Sequence, residues 1–179
     1  MARLSPLVPS DVVELRCPYC GRQVPASTDW VNDAQRQWGR CGVKLATGGR
    51  TVAVLMLAPT QRTGQAMVKG LWVQPDLVGH GYGRQLVQAA AAEMLRLRLD
   101  VILAAAADGR HSSCATPPAG FLERVGFVRP PNSALWRLDL AQAVLERSGL
   151  GVVGRFLRGL GLGPQPAGGA AAGRTSSGR

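Results

Sequence analysis

The stretch VGHGYGR, Val78 to Arg84, places glycines at positions 79, 81 and 83 and constrains the fold more than any other part of the chain. An apolar run, AMVKGLWVQ (Ala66 to Gln74), precedes it and reads as a strand. After it, Leu86, Val87, Ala90, Met94 and Leu97 recur at helical spacing, which predicts a helix over 83–97. A strand, a glycine loop and a helix in that order gather backbone N–H groups at a helix N-terminus, where they attract an anion. Two common phosphate loops do not fit. The spacing is G-x-G-x-G, not the G-x-G-x-x-G of a dinucleotide fingerprint, and no Gly-Lys-Ser/Thr closes the loop. Beyond the helix, VILAAA follows Asp100 and reads as a short buried strand, parallel to Ala66–Gln74.

The flanking sequence adds elements on both sides. Ser10 is placed to cap a short helix, Asp11 to Leu15, and Ser27 or Thr28 a second one, Asp29 to Trp38, which Gly39 ends. CGVKLAT and RTVAVLMLAP read as two strands joined at Gly48-Gly49, a hairpin turn. A loop with His111, Cys114, Pro117 and Pro118 leads into a short helix, Ala119 to Val125. Phe127-Val128 and Ala134 to Leu140 read as two last strands around Pro130-Pro131-Asn132. The pattern is that of one α/β (α+β) domain over residues 1–140. Trp30, Trp38, Trp72 and Trp136 are read as packing residues, with Trp72 also bordering the loop's cleft. Residues 141–163 form a glycine-rich amphipathic extension. Weak docking on its own domain, fraying, and contact with an anionic membrane surface all fit it. Residues 164–179 have nothing to pack and are expected to be disordered.

The formal net charge of +10 favours anionic partners. The basic residues are scattered and aromatics make up 5%, so no stacking platform for single-stranded nucleic acid is expected. The richness in Arg, Ala, Gly and Pro fits a GC-rich coding bias. No apolar run of membrane-spanning length is found, and the first residues lack a signal-peptide pattern, so a cytoplasmic location is expected. Four cysteines there stay reduced, hold a metal or do redox work.

LWVQP followed by VGHGYGRQLVQAA, with FLERVGF at 121–127, resembles the GNAT superfamily of N-acetyltransferases. More narrowly, the chain is similar to short bacterial GNAT proteins with a CxxC near the start, a WGxCG before the second strand and a cysteine before FLxxVGF. Here these are Cys17 and Cys20, Trp38 to Gly42, and Cys114. The resemblance implies a GNAT fold: a mixed, mostly antiparallel central sheet flanked by helices, with two parallel strands splayed to admit the acetylated arm of acetyl-CoA. Leu71, Trp72 and Val73 would offer backbone hydrogen bonds to that arm, and the Val73 N–H would polarise the thioester oxygen. Val78, Gly79, His80, Gly81, Tyr82, Gly83 and Arg84 would wrap the pyrophosphate. The acetyl group would pass directly to an amine of a small molecule or peptide, and a homodimer is compatible with the family. A non-catalytic acyl-CoA-binding or regulatory module is the alternative. The chain departs from the family at three places. Val78 stands where Arg or Gln opens the loop, Leu122 where a tyrosine acts as general acid, and Ala115 near a missing asparagine. The general acid is left unassigned, with Cys114 and a water as candidates, and so is the base, with Glu123, His111 and Asp108 as candidates.

CPYCG, at 17–21, has two chemical readings. A redox dithiol needs its thiolate at the start of a sustained helix, which Pro25 interrupts. A zinc knuckle needs four ligands, and Cys41 and Cys114 complete a set with Cys17 and Cys20. Four ordinary thiols fit as well, as does an oxidation sensor. His80 and His111 read as loop histidines, with His111 an alternate ligand beside Cys114.

Overall fold

The computed structural model describes residues 2–23, 29–107 and 114–142. Its framework is the hairpin of the two strands around Gly48-Gly49, here β2 (Gly42–Thr47) and β3 (Arg50–Pro59). β3 is buried without interruption from Val52 to Ala58, so both its faces are covered rather than one. Helices α2 (Asp29–Trp38) and α3 (Tyr82–Arg96) both pack against it. Leu45, Leu55, Leu57, Leu86, Met94 and Ile102 form the fully buried centre. Each contributes about 1.5–3 kcal/mol by leaving water.

Six strands run in sequence order across one sheet, from β1 (Ala2–Leu7) through β4 (Gln65–Val73) and β5 (Val101–Ala105) to β6 (Leu135–Asp139). All neighbours are antiparallel except β4 and β5, which are parallel. This is the mixed, mostly antiparallel sheet that the sequence implied. β1 was not expected. Its Pro6 argues against a central strand, but β1 lies at the sheet edge, where a missing N–H is tolerated. The first helix, α1 (Pro9–Glu14), begins two residues earlier than a Ser10 cap implied, with Val8 at the cap and Pro9 at its start. The Val8 N–H donates to the Asp11 carboxylate at 3.0 Å. Phe127-Val128 is not a strand; Val128 makes an isolated bridge to Arg137. Short helix α4 (Ala119–Arg124) matches the sequence reading. No helix among the described residues is long and apolar enough to cross a membrane. The extension from 143 to 163 and the tail 164–179 lie outside the described residues.

Two features open the sheet at its middle. The β3–β4 register shifts between the pairs Met56–Gly70 and Leu57–Val68, so Lys69 is an extra residue that bends β4. β4 and β5 pair only over Gln65–Met67 and Val101–Leu103. From Val68 to Val73 β4 stays paired with β3 but not with β5, which leaves a wedge between β4 and β5 on the way to the glycine loop.

Candidate active site and cysteine cluster

Backbone alternation decides what β4 shows to the wedge. The Gln74 N–H donates to Val52 of β3, whereas the Leu71 N–H donates to the Ala115 carbonyl at 2.7 Å. Odd-numbered residues therefore face the wedge and even-numbered ones face β3. Leu71 and Val73 lie on the open side. The same alternation turns the Trp72 backbone groups toward β3 rather than the wedge, and its side chain is buried.

The wedge is partly filled by the chain itself. Segment 114–118 crosses it, with Ala115 against Leu71 of β4 and Pro117 accepting from the Ala107 N–H at 2.9 Å beyond the end of β5. Gly70 permits this approach: a Cβ there would stand 3.0 Å from the Ala115 Cβ. On the same edge the Tyr19 hydroxyl donates to the Val73 carbonyl at 2.9 Å. Tyr19 remains 49% exposed, so it lies across the mouth of the wedge rather than deep within it. Burial, then the nearby Cys17 and Cys114, hold its phenol above the ordinary tyrosine range. Nothing local in CPYC assigns Tyr19 a role or signals a contact 54 positions away.

At the wide end of the wedge the glycine loop leads into α3. Gly79 and Gly81 have φ of +90° and +80°, and a Cβ at either would meet nothing within 4 Å. The glycines thus serve backbone shape and leave the approach open. Gly81 caps α3 without any side-chain hydrogen bond, so the first-turn N–H groups of this 15-residue helix have no side-chain acceptor from their cap. The His80 N–H is directed back to Leu77, and the His80 and Tyr82 rings stack at 6.3 Å. Val78 and Arg84 are exposed. Gly83 is buried against Phe121 and sits inside the helix rather than in the loop. This end of the wedge suits an anion. Along the open edge of β4, one N–H and one C=O are already engaged.

The cysteines divide three to one. Cys17, Cys20 and Cys114 bring their Sγ atoms within 4.8 Å of one another. The turn that makes this is tight: the Cys17 N–H donates to Arg22 at 2.8 Å and the Gly21 N–H to Cys17 at 2.9 Å. A backbone hydrogen bond from Arg22, and then a side-chain one from Cys17, lower the Cys20 thiol, while the hydrogen bond to Cys20 raises Cys114. Cys41 stands apart and is fully buried, with its Sγ 3.7 Å from the Val31 carbonyl. The four-cysteine set expected from sequence is therefore corrected to three, because the WGxCG segment turns Cys41 into the core.

The remaining proton-transfer candidates are not gathered here. Leu122, at the position where a tyrosine was sought, is 1% exposed in the core. Glu123 is exposed on α4. Asp108 and His111 lie outside the described residues.

The family model described as "Acetyltransferase (GNAT) family" matches residues 10–127. The chain belongs to the GNAT acetyltransferase family. Solved GNAT structures share the fold. A putative GNAT acetyltransferase from Desulfovibrio desulfuricans superposes with a TM-score of 0.57 at 17% identity, over 78% of this chain and 99% of that one. A GNAT acetyltransferase from Brucella melitensis in complex with acetyl-CoA gives 0.53 at 15%, over 78% and 88%. The ribosomal-protein-S18-alanine N-acetyltransferase of Escherichia coli gives 0.52 at 14%, over 78% and 94%. Comparison with curated proteins finds no match.

Proposed function

We propose that the protein is an acetyl-CoA-dependent N-acetyltransferase acting by direct transfer. The observation that carries this reading is the β4–β5 wedge opening beside the N-terminus of α3, in a chain of the GNAT family. Backbone N–H groups of the Gly79–Gly83 stretch and the exposed Arg84 would hold the pyrophosphate. The Val73 N–H, which faces the wedge, would donate to the thioester oxygen as negative charge grows there. An uncharged amine attacks the thioester carbonyl, the C–S bond breaks, the thiolate leaves and the amine loses a proton. Much of the acceleration would come from holding the two reactants together. The acceptor is an amine of a small molecule or peptide.

A second reading, a non-catalytic acyl-CoA-binding module, is favoured by one observation. Leu122 is buried where a tyrosine would act as general acid, and it offers no proton. The three clustered thiols suit one soft cation, with zinc the natural choice for such a donor set. Turnover of acetyl-CoA by the full chain, followed as free thiol with a panel of polyamines, aminoglycosides and peptides, tests the first reading. Acetylated product supports transfer; tight acetyl-CoA binding without product on any acceptor supports the module.

A further inference from the structure

The two contacts that occupy β4 share a covalent neighbourhood with the thiol cluster. Tyr19 lies between Cys17 and Cys20, and Ala115 directly follows Cys114. The Tyr19 hydroxyl holds Val73 and the Ala115 carbonyl holds Leu71, on the same open edge of β4. The three Sγ atoms lie within 4.8 Å of one another, and modest contraction brings them to the separations of thiolates about a tetrahedral cation with Zn–S near 2.3 Å. A cation there would tie the Cys17–Cys20 turn to segment 114–118, which thiol hydrogen bonds already bring together.

We propose that Cys17, Cys20 and Cys114 form a site for one Zn²⁺-class cation that latches Tyr19 and Ala115 onto β4, so that metal and acyl-CoA oppose each other. The inference rests on the acyl-CoA reading of the wedge. Loading releases the thiol protons to solvent and leaves a fourth coordination position for water or an added donor. With the cation bound, an acyl-CoA arm must displace two hydrogen bonds before it reaches Leu71 and Val73. Without it, the two arms are no longer tied to one cation, and each can open without the other. Linkage makes the effect reciprocal: acetyl-CoA weakens the cation by the same factor. No thiol is oxidised, and neither ligand is consumed.

The test uses the full chain, loaded with Zn²⁺ or stripped by chelator, with circular dichroism to confirm folding. Calorimetry with acetyl-CoA is expected to show about tenfold weaker binding to the loaded form, the scale of two modest hydrogen bonds. Saturating acetyl-CoA should weaken Zn²⁺ by the same factor in a competition with a chelating dye. Equal or tighter acetyl-CoA binding by the loaded form overturns the proposal, as does a folded chain that takes up no Zn²⁺. Tyr19→Phe keeps all three thiols, so it should bind Zn²⁺ normally while the loaded form gains acetyl-CoA affinity by about threefold. Should the stripped chain unfold, this variant decides alone, and unchanged or weaker affinity overturns the latch. Amide exchange at Leu71 supplies a readout free of acetyl-CoA: protection should fall on stripping, and unchanged protection overturns the latch. If neither form binds acetyl-CoA, the acyl-CoA reading and the competition fall together, while exchange still reports whether the cation holds segment 114–118.

Discussion

Tyr19 donates its hydroxyl hydrogen to the carbonyl oxygen of Val73 at 2.9 Å, joining the N-terminal CPYC turn to the free edge of the central sheet. The contact satisfies a carbonyl that β5 would bond in a fully paired sheet, since β5 leaves β4 after Met67. Removing the hydroxyl alone, by Tyr19→Phe, should therefore lower stability by about 1 kcal/mol. Urea denaturation at neutral pH measures this. Equal midpoints would mean that water replaces the hydroxyl at Val73 without loss.

Gly70 tests whether Ala115 is truly seated in the wedge. A Cβ at this position would stand 2.5 Å from the Met56 methyl and 3.0 Å from the Ala115 Cβ. The methyl is the end of a flexible side chain and can turn away; the Ala115 Cβ can move only with its backbone. Gly70→Ala should cost about 1–3 kcal/mol by overpacking. Combining it with Met56→Val removes the first obstacle and should restore only part of that loss. Full recovery in the double variant would show that Ala115 offers no resistance.

Gly81 and Gly120 make a matched pair for the glycine loop. Gly81 has φ of +80° and caps α3, whereas Gly120 sits in α4 with no such backbone demand and nothing within 4 Å of a Cβ. Gly81→Ala should destabilise by about 1–2 kcal/mol, because a side chain in the left-handed region is strained. It should also weaken acetyl-CoA binding severalfold as the first-turn N–H groups lose their alignment. Gly120→Ala should instead be neutral or gain about 0.5–1 kcal/mol, with acetyl-CoA affinity unchanged. Thermal melts and calorimetry on both variants check the contrast. Matching losses in the two would mean that backbone conformation at 81 is unimportant.

Legibility in the sequence followed the range of the interactions. The β3–β4 sheet core, α2 and α3 were readable because their signals are periodic and local. Leu86, Val87, Ala90 and Met94 mark the face of α3 that is indeed buried. β1 was hidden because Pro6 and the exposed Leu4 break its pattern, and only its place at the edge makes it a strand. The glycine loop was readable as a loop, but the pleat assignment of Trp72 required the observed register. CPYC and Cys114 were visible as candidate partners. Their meeting depends on a turn bringing positions 17 and 20 to the β5–α4 connection, which no spacing rule specifies. Cys41 was grouped with them because residue type says nothing about direction.

The direction of Cys41 carries a pH prediction. Burial, with the Asp11 carboxylate adding to it, pushes this thiol from 9.0 up to about 11. The folded chain therefore keeps a proton that the unfolded chain releases first. The stability this group contributes is complete below pH 9 and is lost as pH rises toward 11, because over that window the unfolded state binds fewer protons. Cys41→Ala removes the titration as well as the packing, so the stability gap between wild type and variant should narrow between pH 9 and 11. Urea denaturation at half-unit intervals measures the gap. A gap that stays constant would mean that Cys41 titrates alike in both states. The same environment should shield Cys41 from alkylation. In chelator-stripped native protein at pH 8, iodoacetamide should modify the exposed Cys20 and Cys114 and leave Cys41 intact, as read by peptide mass spectrometry. Labelling of Cys41 at the rate of Cys20 would contradict its place in the core.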